Sequence, residues 1–306
     1  MPERHNGALD DATARLPAVV VVEASTDHLV IGQSVELTAQ VTLGGSARSE
    51  GTVTFADGTT HLGVAATRAS SYVLSVASLG AGPHTIVAHW SGAAAPPSVS
   101  APITVRVDPL WFPPPAPGTQ GYRPATIPPF SGSGPSVALL GDSITSAIAG
   151  TFAGAANEAG YAVSITGLDG YALAATKTWV DLYAAQAPHV MIVNLGTNDV
   201  SARAGRADAD FGFQHRLATV AAAFPRSCFV VTTITTHRPG AGWAEWNATA
   251  ASFNAHLRAS YPHVADWDAV VAAHPEYLPD GIHPVGSAAG VAALAATQVA
   301  AARACA

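Results

Sequence analysis

The chain has 306 residues, enough for about two domains, and 49% of them are apolar against 11% charged, which excludes extensive disorder and leaves ample material for a core. Fourteen basic and twenty-one acidic residues give a formal net charge of −7 with no basic cluster, so nucleic acid is not an expected partner. No run of about 18 apolar residues exists, so no membrane span is expected.

Residues 1–16 read as an N-terminal tail. They carry acids and arginines and lack the apolar stretch of a secretory signal. From 17 to 107 the pattern is short period-two runs at 18–22, 34–41, 51–55, 72–76, 84–89 and 103–107. Ala56-Asp57-Gly58 and Gly80-Ala81-Gly82-Pro83 supply turn chemistry between them. This spacing predicts an all-β sandwich. The stretches G-T-V-T-F at 51–55, L-G at 62–63 and A-G-P-H-T-I-V-A-H-W-S-G at 81–92 resemble bacterial Ig-like repeat modules. The segment has no cysteine pair, so a hydrophobic core must join its sheets.

Residues 108–135 hold nine prolines in 28 positions. Proline fixes φ and removes N–H donors, which predicts an extended, semi-stiff linker. Its aromatics, Trp111, Phe112, Tyr122 and Phe130, are expected to pack onto a flanking domain rather than face solvent.

After Pro135 the period changes. Apolar runs at 136–140, 162–165, 190–195, 229–234 and 263–267 suit buried strands, and helix-period segments at 145–159, 174–187, 208–224, 244–260 and 287–304 alternate with them. That alternation predicts an α/β domain over 136–306, with a parallel sheet covered on both faces. Ligands in such sheets bind at the carboxyl ends of the strands.

Three loops carry chemistry: Gly141-Asp142-Ser143-Ile144 after the first strand, Gly196-Thr197-Asn198-Asp199 after the third, and Asp280-Gly281-Ile282-His283-Pro284 before the last helix. A serine hydroxyl is a weak nucleophile at neutral pH and needs a base, itself oriented by a carboxylate. Ser143, His283 and Asp280 are those three residue types. The backbone N–H of Ser143, opening a helix, and the Asn198 side-chain amide are candidate oxyanion donors.

These blocks resemble those of the SGNH hydrolases, the GDSL esterase/lipase superfamily: G-D-S at 141–143, G-T-N-D at 196–199 and D-x-x-H at 280–283. The resemblance implies a flavodoxin-like three-layer α/β fold. It assigns Ser143 as nucleophile, His283 as base, Asp280 as the orienting acid and Asn198 as an oxyanion amide, with Gly170 in D-G-Y-A as the best match for the family's oxyanion glycine. Asp142, Thr197, Asp199, His237 and His274 are further candidates for lining the pocket. The chemistry requires no metal or organic cofactor, and neither H-E-x-x-H nor C-x-x-C is present. The expected substrate is a short-chain acyl ester, with O-acetyl groups on a carbohydrate leading.

Two alternatives remain open at this stage. The stretch V-A-D-W-D-A-V-V-A-A-H-P-E-Y-L-P-D-G-I-H-P at 264–284 resembles SGNH domains attached to O-acyltransferases, which implies transfer to a glycan hydroxyl. The other is a non-catalytic surface binding protein that retains the motifs. The Ig-like module favours an extracellular or cell-surface location; whether it packs on the catalytic domain is open, and so is the pairing of Cys228 with Cys305.

Overall fold

The structure is a computed structural model and describes residues 17–77, 79–203 and 209–305. The expected tail at 1–16 and position 208, where the sequence starts a helix, lie outside the described residues. The chain divides into two compact units, Met1–Pro109 and Leu110–Ala306. No helix among the described residues is long and apolar enough to cross a membrane.

The first unit is two β-sheets. With strands numbered in chain order, one sheet runs β1 (Val19–Ala24), β3 (Val35–Leu43), β8 (Ser71–Val76) and β7 (Ala66–Arg68), with β4 (Ser46–Arg48) against β3. The other runs β2 (His28–Val30), β11 (Ile103–Asp108), β9 (Gly82–Gly92), β5 (Thr52–Asp57) and β6 (Thr60–Val64), with β10 (Ala95–Val99) against β9. Strict alternation buries Val35, Leu37, Ala39 and Val41 from β3 against Ile86, Ala88 and Trp90 from β9 in one core. Tyr72 and Trp90 are buried by their rings, and both give their polar tips to the carbonyl of Glu50, at 2.8 and 3.1 Å. The period-two runs locate β1, β3, β5, β8, β9 and β11. Of the strands they omit, β2, β4 and β7 are three residues long, too short for a period to show, and β6 and β10, at five residues each, do not alternate in burial.

The second unit is a parallel sheet of β12 (Ser136–Gly141), β13 (Ala162–Gly167), β14 (Val190–Asn194), β15 (Cys228–Thr232) and β16 (His263–Ala265), in the order β13-β12-β14-β15-β16. This is the doubly wound, flavodoxin-like order 2-1-3-4-5. Its helices are α1 (Ser143–Glu158), α2 (Lys177–Gln186), α3 (Thr197–Arg203), α4 (Ala209–Ala222), α5 (Ala244–Ser260), α6 (Trp267–Ala273) and α7 (Ala288–Arg303). Alternate strand residues part to opposite faces. Ala138, Leu140, Met191 and Val193 join α2, α4 and α5, whereas Val137, Leu139, Ile192 and Val230 join α1, α6 and α7. Both faces are buried, which is why these strands read as unbroken apolar runs.

Two helices, α3 and α6, are absent from the sequence reading. The run 263–267 reads as a strand to Trp267, but β16 stops at Ala265. Asp266 then caps α6 by accepting from the N–H of Ala269. Cys228 and Cys305 are disulfide-bonded across 77 residues and fix α7 to the start of β15. A loop of that length constrains the unfolded chain by about 4 kcal/mol.

Beyond Asp108, the last residue of β11, the proline-rich stretch has no helix or extended strand, yet it is no free spacer. Its aromatics Trp111 and Phe130, with Ile127, pack against the core of the second unit. Buried Arg216 donates to the carbonyl of Leu110, the N–H of Phe112 to Ala174, and the Ser164 hydroxyl to Pro128. Ser131 forms an antiparallel bridge with Val163, covering the open edge of β13.

Candidate active site

The site is assembled from loops at the carboxyl edge of the parallel sheet. At the end of β12, a Cβ on Gly141 would lie 2.7 Å from the carbonyl of Asn194 and against the Thr145 hydroxyl. Only glycine lets the strand approach β14 and α1 this closely. Asp142 follows as the N-cap of α1, its carboxylate accepting from the N–H of Ile144 at 3.0 Å. Ile144, Ile148, Phe152 and Ala156, four apart, bury one face of that helix. Ser143 is thereby the first helical residue, where its N–H has no carbonyl one turn back.

The loop before α7 brings its chemistry to the same place. Ser143 Oγ lies 2.9 Å from His283 Nε2, and His283 Nδ1 lies 2.8 Å from Asp280 Oδ2. Asp280 Oδ1 also accepts the N–H groups of Ile282, at 2.8 Å, and His283, at 2.6 Å. Burial opposes ionisation of Asp280, but these bonds from His283 and Ile282 outweigh it and hold the carboxyl below its ordinary range. An ionised Asp280 accepts Nδ1–H, which leaves Nε2 as the acceptor for the Ser143 hydroxyl.

Gly170 lies on the turn after β13 with φ +79, a conformation that favours glycine. Its N–H donates to no group among the described residues. Asn198, the second residue of α3, donates from Nδ2 to the carbonyl of Tyr171 at 3.1 Å and to Asp142 Oδ2 at 3.3 Å. The amide therefore spans from the residue after Gly170 to the residue before Ser143.

Asp142 is almost fully buried, and desolvation raises its pKa to about 7 against the bond from Ile144, with the Asp199 charge adding to the rise. Asp199 is buried and accepts from the N–H of Leu173 at 2.8 Å, bracing the chain beyond the Gly170 turn. Thr197, also buried, opens α3, and its carbonyl accepts from Ser201. His237 is exposed, with Nε2 3.3 Å from the Thr236 hydroxyl and 3.7 Å from Asp268 Oδ1. His274 stacks on Tyr277 at 4.7 Å and pairs with Glu276 at 3.1 Å. Neither histidine hydrogen-bonds to Ser143, Asp280 or His283 among the described residues.

The loop that follows β15 reaches the site without carrying a recognisable motif. The Arg238 guanidinium lies 3.2 Å from the ring centroid of Trp243 and 5.0 Å from that of Trp246. Asn247 holds the Arg238 backbone from both sides, accepting its N–H at 3.2 Å and donating to its carbonyl at 3.0 Å. Burial lowers the Arg238 pKa, with the Asp280 carboxylate opposing the shift, and Pro239 crowds Gly281 so closely that a Cβ there would lie 2.8 Å from it. The signal in the sequence is R-P-G-A-G-W-A-E-W-N at 238–247, which is rich in turn and aromatic residues but matches no motif.

One group among the described residues has the closeness of metal ligands: Cys228, His263 and Cys305, whose ligand atoms lie within 4.8 Å of one another. Both sulfurs are committed to the disulfide. The group stands at the amino ends of β15 and β16, the opposite edge from Ser143.

Comparison with known proteins identifies the first unit. Residues 22–108 match the bacterial Ig-like domain (group 3). This segment is a bacterial Ig-like domain. No curated protein matches the chain. Solved structures similar to it include TesA, at 19% identity over 56% of this chain and 99% of that one, with a TM-score of 0.45. The psychrotrophic esterase EstA from Pseudoalteromonas sp. is similar at 12% identity over 56% and 97%, with a TM-score of 0.39. A family two carbohydrate esterase from Clostridium thermocellum, in complex with cellohexaose, is similar at 17% identity over 77% and 81%, with a TM-score of 0.32.

Proposed function

We propose that residues 110–306 form a serine esterase of the SGNH type that hydrolyses short-chain acyl esters, with O-acetyl groups on a carbohydrate as the substrate class. The observation that carries this reading is the relay from Ser143 Oγ to His283 Nε2, 2.9 Å, and from His283 Nδ1 to Asp280, 2.8 Å. Three side chains from loops 140 residues apart meet at hydrogen-bond distance in the order that activates a hydroxyl.

Ser143 Oγ attacks the ester carbonyl while His283 Nε2 takes its proton. Asp280, kept ionised, stabilises the imidazolium and fixes the ring. The tetrahedral oxyanion is received by the N–H of Ser143, the N–H of Gly170 and the amide of Asn198. An incoming oxyanion displaces the longer of the two Asn198 bonds, the one to Asp142. His283 then protonates the leaving alcohol, and a water activated by the same imidazole cleaves the acyl-enzyme.

The test is Ser143→Ala in the full chain, assayed on 4-nitrophenyl acetate and on a panel of O-acetylated glycans. Ester hydrolysis falls to the uncatalysed background while the circular dichroism spectrum is unchanged. Hydrolysis at the parental rate by this variant overturns the mechanism. Release of acetate from the aryl ester but from no glycan overturns the substrate class alone.

A further inference from the structure

The proposed oxyanion donor Gly170 sits on an exposed two-residue turn, where a backbone N–H wanders unless the turn is held. Both residues flanking it are tied down, and the ties come from the proline-rich segment. Arg123 Nη2 donates to Asp169 Oδ2 at 2.7 Å. Tyr171 Oη donates to the carbonyl of Gly121 at 3.0 Å, and its ring packs edge-on against buried Trp179 at 5.4 Å. The other oxygen of Asp169 accepts from the Ser146 hydroxyl at 2.5 Å. Ser146 lies one turn along α1 from Ser143, and its own N–H bonds to the carbonyl of Asp142.

Asp169 is therefore a junction between the helix that carries the nucleophile and the segment at 121–123. Gly170, between two anchored neighbours, keeps its N–H unpaired. The segment is itself fixed along its length, from Arg216 on Leu110 to Ser131 on Val163, so it provides a rigid abutment. An ion pair as exposed as Arg123–Asp169 adds little to global stability. Its effect is local geometry, and displacement of a catalytic group by about 1 Å costs on the order of 10²-fold in rate.

We infer that Arg123 is a positioning residue for the oxyanion site: through Asp169 it fixes the turn that presents the N–H of Gly170, making the proline-rich segment part of the catalytic unit. This rests on the esterase reading above. Arg123 touches no reacting atom and acts through the turn alone.

The experiment measures steady-state kinetics on 4-nitrophenyl acetate for the full chain, Arg123→Ala, Arg123→Lys, Tyr171→Phe and Ser143→Ala, each with its thermal midpoint. Arg123→Ala lowers kcat about tenfold with KM within twofold, because the donor acts on the transition state rather than on bound substrate. Arg123→Lys recovers at least a third of the lost kcat by restoring the charge. Tyr171→Phe, which removes only the second tether, lowers kcat about threefold. A kcat for Arg123→Ala within twofold of the parent, or a loss confined to KM, overturns the inference. Should Arg123→Ala not fold, a parental kcat in both Arg123→Lys and Tyr171→Phe overturns it. An inactive Ser143→Ala beside a fully active Arg123→Ala defeats this inference alone, whereas an active Ser143→Ala defeats the esterase reading beneath it.

Discussion

Two loops of the same site hold an aspartate each and treat it in opposite ways. On the loop before α7, Asp280 receives two backbone N–H groups and an imidazole, and its carboxyl is held below the ordinary range. After β12, Asp142 lies buried with one backbone donor and a long bond from Asn198, and its carboxyl is pushed up to about 7. The number of donors facing a carboxylate, weighed against its desolvation, decides whether it serves as an anion or as a capping group. In the proposed chemistry the anion is required only at Asp280, where a positive charge develops on the neighbouring ring.

The largest test of that contrast is Asp280→Asn. It keeps the shape but removes the charge and the acceptor for Nδ1–H, and kcat on an aryl acetate falls by about 10³–10⁴. The equivalent change at the other loop, Asp142→Asn, mimics a neutral carboxyl and leaves kcat at pH 6 within about threefold. A loss as large as that of Asp280→Asn would erase the distinction between the two aspartates. Next in size is Asn198→Ala, which removes the amide joining the Asp142 and Gly170 loops; kcat drops by about 10²–10³ with little change in KM.

The smallest effect is on stability, and its sign differs between the loops. Asp142 has a folded pKa above its unfolded value, so between about pH 4 and 7 the folded state binds the extra proton and stability from this group falls as pH rises. Asp142→Asn is therefore expected to gain thermal midpoint over the parent as pH goes from 5 to 8, and to lose that gain on acidification. Asp280 has a depressed folded pKa, so its contribution is present above the unfolded carboxylate range near pH 4 and is lost as pH falls through the lower folded value. Thermal unfolding of both asparagine variants across pH 3 to 8 checks the two slopes. Slopes of equal sign contradict the assignment.

The strands of the second unit were legible as unbroken apolar runs, and its longer helices because each spans enough residues for its period to repeat. Ile144, Ile148 and Phe152 declare α1, and M-I-V-N at 191–194 declares a strand buried on both faces. Short elements such as β4 and α6 were not, since three residues of strand and seven of helix each fall short of two periods. Ser143, Asn198, Asp280 and His283 stood out as residue types in motifs. The Arg238–Trp243 stack did not, because an arginine and a tryptophan five positions apart on a loop have no fixed relation until the backbone turns.

Hydrophobic period and turn chemistry, both local, determined the two kinds of fold and their order along the chain. Contacts across long separations were left to the tertiary structure. It pairs Cys228 with Cys305, seats the proline-rich segment on the edge of β13, and gives Asp142 and Asp280 different proton affinities. Those outcomes depend on which groups converge and how much water they exclude, and neither quantity is a property of neighbouring residues in a sequence.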